Sequence, residues 1–193
     1  LPDQTLLNIS AENNLSETAF YVQTDSGFHI RWFTPTTEVD LCGHATLAAS
    51  WVIFNKTDYD KDSIEFKSLS GKLLVQNSAD GLTLDFPTWE SSPSETIDPI
   101  FEQAFGKAPL EVHKGKKWIG VYEDADFIKT VTPDIDIIKT IDSQGVVITA
   151  AANERDLDFI SRYFGPQLGI DEDPVTGSAH CILAPIWAQK LNK

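Results

Sequence analysis

The chain has 193 residues, with 15 basic and 29 acidic side chains, a formal net charge of −14 and 41% hydrophobic residues. These proportions exclude a disordered chain, and the length suffices to bury a core as one domain or two. The acidic balance argues against a nucleic-acid or anionic-membrane partner, which Lys and Arg would hold, and no apolar run approaches the roughly 18 residues that span a bilayer.

Pro2 to Asn13 reads as a short helix, because Leu6, Leu7, Ile9 and Ala11 are spaced for one face and Pro2 suits a first turn. Thr18–Gln23 and Gly27–Thr34 are rich in β-branched and aromatic residues, and the Asp25-Ser26-Gly27 turn predicts a hairpin. Pro35 stops the second strand. A polar loop follows, then an apolar helix from about His44 to Phe54. From Ser63 to Phe86 the spacing is period two, with turn signals at Ser70-Gly71 and Asp80-Gly81, which predicts a meander. Pro87 to Pro99, rich in Pro, Ser and acid, is the candidate linker. Beyond it a helix near Ile100–Phe105 closed by Gly106, a strand at Trp118–Tyr122, a helix at Ile135–Ile141 and a strand at Gly145–Ala150 are expected.

The last stretch repeats an earlier one. Arg31-Trp32-Phe33-Thr34-Pro35 matches Arg162-Tyr163-Phe164-Gly165-Pro166. An acidic loop follows each: Glu38 and Asp40 in the first, Asp171, Glu172 and Asp173 in the second. Each loop ends in Gly-x-Ala opening an apolar helix, Gly43-His44-Ala45 and Gly177-Ser178-Ala179. The offset is 131 residues at the Arg and 134 at the Gly. A helix that is apolar nearly all round must be buried, so two barrel-like units, each with a helix through it, are expected. Two helix N-termini facing one cleft would present free N–H groups and positive dipole ends to a carboxylate or a developing enolate. The expected domains are 1–90 with a central helix at 43–55 and 91–193 with a central helix at 177–191.

Three motifs carry a resemblance over essentially the whole chain: Glu12-Asn13-Asn14-Leu15-Ser16-Glu17-Thr18-Ala19-Phe20, Asp40-Leu41-Cys42-Gly43-His44-Ala45-Thr46-Leu47-Ala48-Ala49 and Glu172-Asp173-Pro174-Val175-Thr176-Gly177-Ser178-Ala179-His180-Cys181. Together they resemble the phenazine-biosynthesis PhzF-like isomerase family. The resemblance implies an α+β protein of the diaminopimelate epimerase-like fold, in two similar domains, each a mixed β-sheet or barrel wrapped around a central α-helix. It implies an isomerase (EC 5) acting on a small organic acid in the inter-domain cleft, with no cofactor and no metal, and usually a homodimer. Glu17 matches the family's proton-shuttling carboxylate. His44, Asp173 and Ser178 match residues that assist it or bind the substrate, and Gly43, Gly177 and Cys42 belong to the same motifs. In the related amino-acid epimerases and racemases two cysteines precede the helix glycines; here Cys42 and Thr176 stand at those positions. One thiol is lost, so a single-carboxylate shuttle through Glu17 fits better than a two-thiol racemase. Members usually begin with a strand and a Gly-Asn-Pro loop and continue past the second central helix with more strands. The chain, which contains no Met, is therefore expected to be the central part of a longer protein.

Read without the resemblance, Glu17 is a solvated strand end, His44 a packing histidine, and Asp173 and Ser178 helix-capping residues. His180 and Cys181 read as structural. The two cysteines make no disulfide framework and read as reduced thiols of a cytoplasmic protein. Asp171-Glu172-Asp173-Pro174-Val175 resembles the opening of an aspartyl-nucleophile phosphatase, but the chain ends 20 residues later, with no room for that family's later motifs. The same loop is a poor calcium site, because Pro and Val take ligand positions. A zinc site from Cys42, His44, His180 and Cys181 lacks the usual spacings. The remaining alternatives are a non-catalytic small-molecule binding protein of the same fold and an amino-acid epimerase or racemase using Cys42.

Overall fold

The computed structural model describes residues 1–193. Cα packing divides them into two units: Leu1–Pro87 with Val175–Ser178, and Thr88–Pro174 with Ala179–Lys193.

In the first unit, helix α1 (Asp3–Asn13) ends where Asn14 turns left-handed at φ 50° and its N–H donates to the Ser10 carbonyl. Strands β1 (Thr18–Thr24) and β2 (Gly27–Phe33) form the expected hairpin, with Thr24 opposite Gly27. Gly27 is required there: it adopts φ 131°, and a Cβ would lie 2.5 Å from the Glu65 carbonyl oxygen. Strand β3 (Glu38–Val39) returns antiparallel to β2, and helix α2 (Gly43–Lys56) follows. Strand β4 (Ser63–Ser68) then lies parallel to β2, with the helix as part of the crossover. Strands β5 (Gly71–Ser78) and β6 (Gly81–Asp85) complete the meander by antiparallel pairing. The sheet runs β1-β2-β4-β5-β6, with β3 attached to β2. Its core holds Phe28, Ile30, Trp32, Ile64, Phe66, Leu73 and Val75, the inward positions of the strands, together with Ile53 from α2.

The second unit carries strand β7 (Ser91–Pro93), helix α3 (Pro99–Phe105), strands β8 (Glu111–Gly115) and β9 (Trp118–Tyr122), helices α4 (Ala125–Thr130) and α5 (Ile135–Lys139), strands β10 (Val146–Ala151), β11 (Phe159–Gly165) and β12 (Ile170–Asp173), and most of helix α6 (Gly177–Leu191). The sheet order is β12-β11-β10-β9-β8-β7, with β9 and β10 parallel. Helices α3, α4 and α5 pack on one face around Phe101, Phe105, Tyr122, Ile148 and Phe164. Helix α6 packs on the other through Ala179, Ile182, Leu183, Ile186 and Trp187 against Ile119, Val121 and Val147. Covered on both faces, β10 is buried at Val146, Val147, Ile148, Thr149 and Ala150. The one polar side chain in that run, Thr149, donates to the Ile160 carbonyl and accepts from the Trp187 indole N–H.

The fold is α+β with two open six-stranded sheets, and it differs from the sequence reading at several points. The candidate linker at Pro87–Pro99 contains β7, which pairs with β8: edge hydrogen bonds, not hydrophobic pattern, order it. Both acidic loops contain short strands, β3 and β12, paired with the Arg-bearing strands. The two apolar helices are not buried all round. Helix α2 buries Ala45, Thr46, Ala49, Ser50 and Ile53 but leaves Trp51 50% exposed, because an open sheet covers a helix from one side.

Candidate functional site

Glu17 sits in the turn between α1 and β1. The left-handed Asn14 ends the helix, and the Asn13 amide donates to the Thr18 hydroxyl, tying the helix end to the strand start. The Glu17 side chain is only 10% exposed. His44 is the second residue of α2, with its side chain 37% exposed, and its Nε2 lies 3.3 Å from Glu17 Oε2. Cys42 immediately precedes the helix in extended conformation and is buried. Its carbonyl accepts both the Thr46 N–H at 3.2 Å and the Thr46 hydroxyl at 2.6 Å, which fixes the first turn. The Cys42 Sγ lies 3.8 Å from His44 Nδ1 and 3.9 Å from Nε2, within sulfur hydrogen-bond distance. One donor atom from each of Glu17, Cys42 and His44 falls within 4.8 Å of the others.

A carboxylate of low exposure beside an imidazole at a helix N-terminus can exchange a proton with a bound molecule and pass it on. An imidazole in its neutral form can relay a proton or donate to a carbonyl.

The first unit also includes residues 175–178. A Cβ on Gly177 would lie 3.6 Å from the Gly43 Cα and 3.0 Å from the Phe86 ring, and a Cβ on Gly43 would overlap the same ring. The glycines that open the two repeated helices therefore stand side by side against Phe86, and Ser178, the next residue, is buried. The sequence reading treated Phe86 only as the end of a strand pattern; the signal for it was the pair of glycines at equivalent repeat positions. Asp173, the last residue of β12 in the second unit, is buried opposite Tyr163 in the sheet.

The second unit holds the other thiol. Cys181 lies inside α6, and burial pushes its thiol up to about 11, only partly offset by the nearby Lys117. The His180 ring packs 5.8 Å from Phe159. Neither residue belongs to the Glu17–Cys42–His44 cluster. Lys117 itself escaped sequence reasoning. It is a buried ammonium with the rings of Trp89 and Tyr163 at 5.2 and 5.0 Å, whose faces help replace its hydration.

These features define an α+β protein of the diaminopimelate epimerase-like fold with a carboxylate–imidazole–thiol cluster at a helix opening. The family described as phenazine biosynthesis-like protein matches residues 1–193, and the chain belongs to that family. It is 47% identical over 193 residues to an uncharacterized isomerase of Pseudomonas aeruginosa, covering 100% of this chain and 73% of that protein. A solved PhzF-family protein of Enterococcus faecalis is 42% identical, with a TM-score of 0.86 over 100% of this chain and 74% of its own. A solved protein of Pseudomonas aeruginosa described as a predicted epimerase shares the fold alone, at 17% identity and a TM-score of 0.69 over 100% of this chain and 73% of its own. No helix is long and apolar enough to cross a membrane.

Proposed function

We propose that this protein is a cofactor-independent isomerase of a small organic acid, in which Glu17 takes a proton from carbon and returns it elsewhere on the same framework. The observation that carries the reading is the 3.3 Å approach of His44 Nε2 to a Glu17 carboxylate of low exposure. A base that must both accept and release a proton needs partial burial to bring its affinity towards working pH. His44 assists the transfer. Gly43, Gly177 and Ser178 present the openings of two helices, which suit a carboxylate, and the family resemblance adds Asp173 as a substrate-holding residue. The same reading carries a cytoplasmic homodimer with a small-molecule carboxylate as its only partner, neither nucleic acid nor membrane. Light scattering tests the dimer.

The decisive experiment is solvent deuterium exchange into a panel of small carboxylic acids. Glu17→Gln is expected to lower turnover and exchange by about a hundred- to ten-thousand-fold with an unchanged circular dichroism spectrum. If the wild-type protein binds such acids but exchanges no proton with any of them, it is a binding protein of this fold. The proximity of Cys42 to His44 favours one second reading, an epimerase with Cys42 as the second acid. In that case Cys42→Ser abolishes inversion at the exchanging carbon while leaving exchange from the Glu17 face.

A further inference from the structure

We propose that Glu17, Cys42 and His44 also form a binding site for one thiophilic divalent cation of the zinc class. Three different donors converge: a carboxylate oxygen, a sulfur and an imidazole nitrogen. A tetrahedral zinc ion sits about 2.3 Å from sulfur and about 2.0–2.2 Å from nitrogen or oxygen, which places its ligand atoms roughly 3.3–3.6 Å apart. The His44 Nε2 to Glu17 Oε2 separation is 3.3 Å, and the Cys42 Sγ to His44 Nε2 separation is 3.9 Å. The first fits as it stands, whereas Cys42 Sγ, which also lies 3.8 Å from Nδ1, requires the imidazole to turn its Nε2 lone pair towards the shared ion. The third pair lies within 4.8 Å and closes by at most about 1.2–1.3 Å through rotation of the Glu17 carboxylate.

Electrostatics and access agree with the geometry. Thiolate and carboxylate together neutralise a divalent charge. His44 is the most exposed of Glu17, Cys42 and His44, and so offers the way in. Three protein donors leave the fourth tetrahedral position for water or a ligand carboxylate, as in zinc sites with an open position. A chain with net charge −14 also concentrates cations at its surface.

The internal repeat sets the stoichiometry. At an offset of 134 residues, Cys42 corresponds to Thr176 and His44 to Ser178, so the second copy lacks both soft donors. Cys181 is a buried thiol within α6, outside the cluster. One cation per chain is therefore expected. A bound cation occupies the carboxylate lone pair that a base requires, so zinc should stop proton transfer until a chelator removes it. That consequence rests on the Glu17 reading, whereas the binding itself does not.

Cobalt titration tests the site without any turnover. The thiolate-to-cobalt charge-transfer band in the near ultraviolet should saturate at one cobalt per chain and vanish when zinc is added. Cys42→Ser should abolish the band, Cys181→Ser should retain it, and Glu17→Gln and His44→Ala should each weaken zinc binding by at least tenfold in a competition assay. Folding of each variant is checked by circular dichroism. No band in the wild-type protein, a band that survives Cys42→Ser, or zinc affinity indifferent to both Glu17→Gln and His44→Ala overturns the proposal. Because the readout is absorbance in the absence of substrate, loss of the isomerase reading and loss of the metal site are separate results.

Discussion

The two copies of the repeated segment, β2-β3-α2 and β11-β12-α6, share a frame and differ in what it carries. In each, an arginine two residues before a phenylalanine covers that ring, Arg31 over Phe33 at 4.9 Å and Arg162 over Phe164 at 5.1 Å. Each grips a glutamate on the returning strand with two hydrogen bonds, Glu38 at 2.7 and 2.7 Å and Glu172 at 2.6 and 2.9 Å. The planar guanidinium fork matches a carboxylate at two points, so it sets the strand that leads into the helix. Beyond this shared clamp the copies diverge. The first places Cys42 and His44 at its helix opening beside Glu17; the second has Thr176 and Ser178 there and keeps its thiol inside the helix. The conserved geometry is structural, and the reactive side chains are specific to one copy.

The largest contrast should be chemical. With its thiol pushed up to about 11, Cys181 holds only about 0.1% thiolate at pH 8. In the Cys42→Ser variant, iodoacetamide at pH 8 should label Cys181 at least about a hundredfold more slowly than free cysteine, and labelling should become complete once the chain is unfolded. Fast labelling in the folded variant would mean that the second copy also carries a reactive thiol, and the contrast would fail.

Next is the packing of the two helix openings. Gly43→Ala drives a methyl into the Phe86 ring, whereas the same change at Gly177 meets that ring at 3.0 Å. Gly43→Ala should cost about 1–3 kcal/mol, and Gly177→Ala less. Adding Phe86→Leu should recover part of the loss at either position, a coupling that a double-mutant cycle in urea melts would reveal.

The clamps themselves are unequal. Arg31 has Asp3 as a third partner, on an exposed carboxylate, while Arg162 also donates to the Ile128 and Val131 carbonyls at the end of α4. Carboxylate neighbours, Glu38 for Arg31 and Glu172 for Arg162, hold both guanidinium groups more firmly protonated than usual. Both pairs are partly exposed, so solvent screens them. Arg31→Ala is expected to lower stability by about 1 kcal/mol, and Arg162→Ala by about 2 kcal/mol, because two backbone carbonyls lose a charged donor. Equal losses in thermal melts would show that the carbonyl contacts add nothing.

These contrasts also mark what the sequence makes legible. The meander follows from period-two apolar spacing, the hairpin from β-branched and aromatic runs about a Gly turn, and β10 from a continuous apolar run, all of them local signals. Strands β3, β7 and β12 did not, because Glu38–Val39, Ser91–Pro93 and Ile170–Asp173 are short and polar and are ordered by edge pairing with distant partners. Helix α4 was missed for a similar reason. Six residues give too short an apolar period, although Asp124, which accepts from the Asp126 N–H, was a readable cap. Glu17, Cys42 and His44 could be named from motifs, but their convergence depends on how α1 ends and α2 begins. Lys117 was invisible, since the adjacent Lys116-Lys117 pair reads as solvated surface until the rings of Trp89 and Tyr163 are folded over it.

The smallest effect lies in the second unit's ion pairs. The Asp98 carboxylate accepts from Lys114 Nζ at 3.0 Å and from the Ile100 N–H at the start of α3, so it joins a helix cap to β8. The lysine hydrogen bond leads in holding this carboxyl below the usual Asp value of 3.8, and Lys190 does the same for Glu111. A carboxyl whose folded affinity for protons is below its unfolded one stabilises the fold above the unfolded value and loses that contribution as pH falls through the folded value. Asp98→Asn should therefore cost about 1 kcal/mol or less at pH 7. The gap to wild type should close as the pH falls below the ordinary Asp value near 3.8. Thermal melts of the two proteins between neutral and acidic pH measure that closure, and a gap that stays constant throughout would assign the effect to the neutral cap geometry and not to the charge.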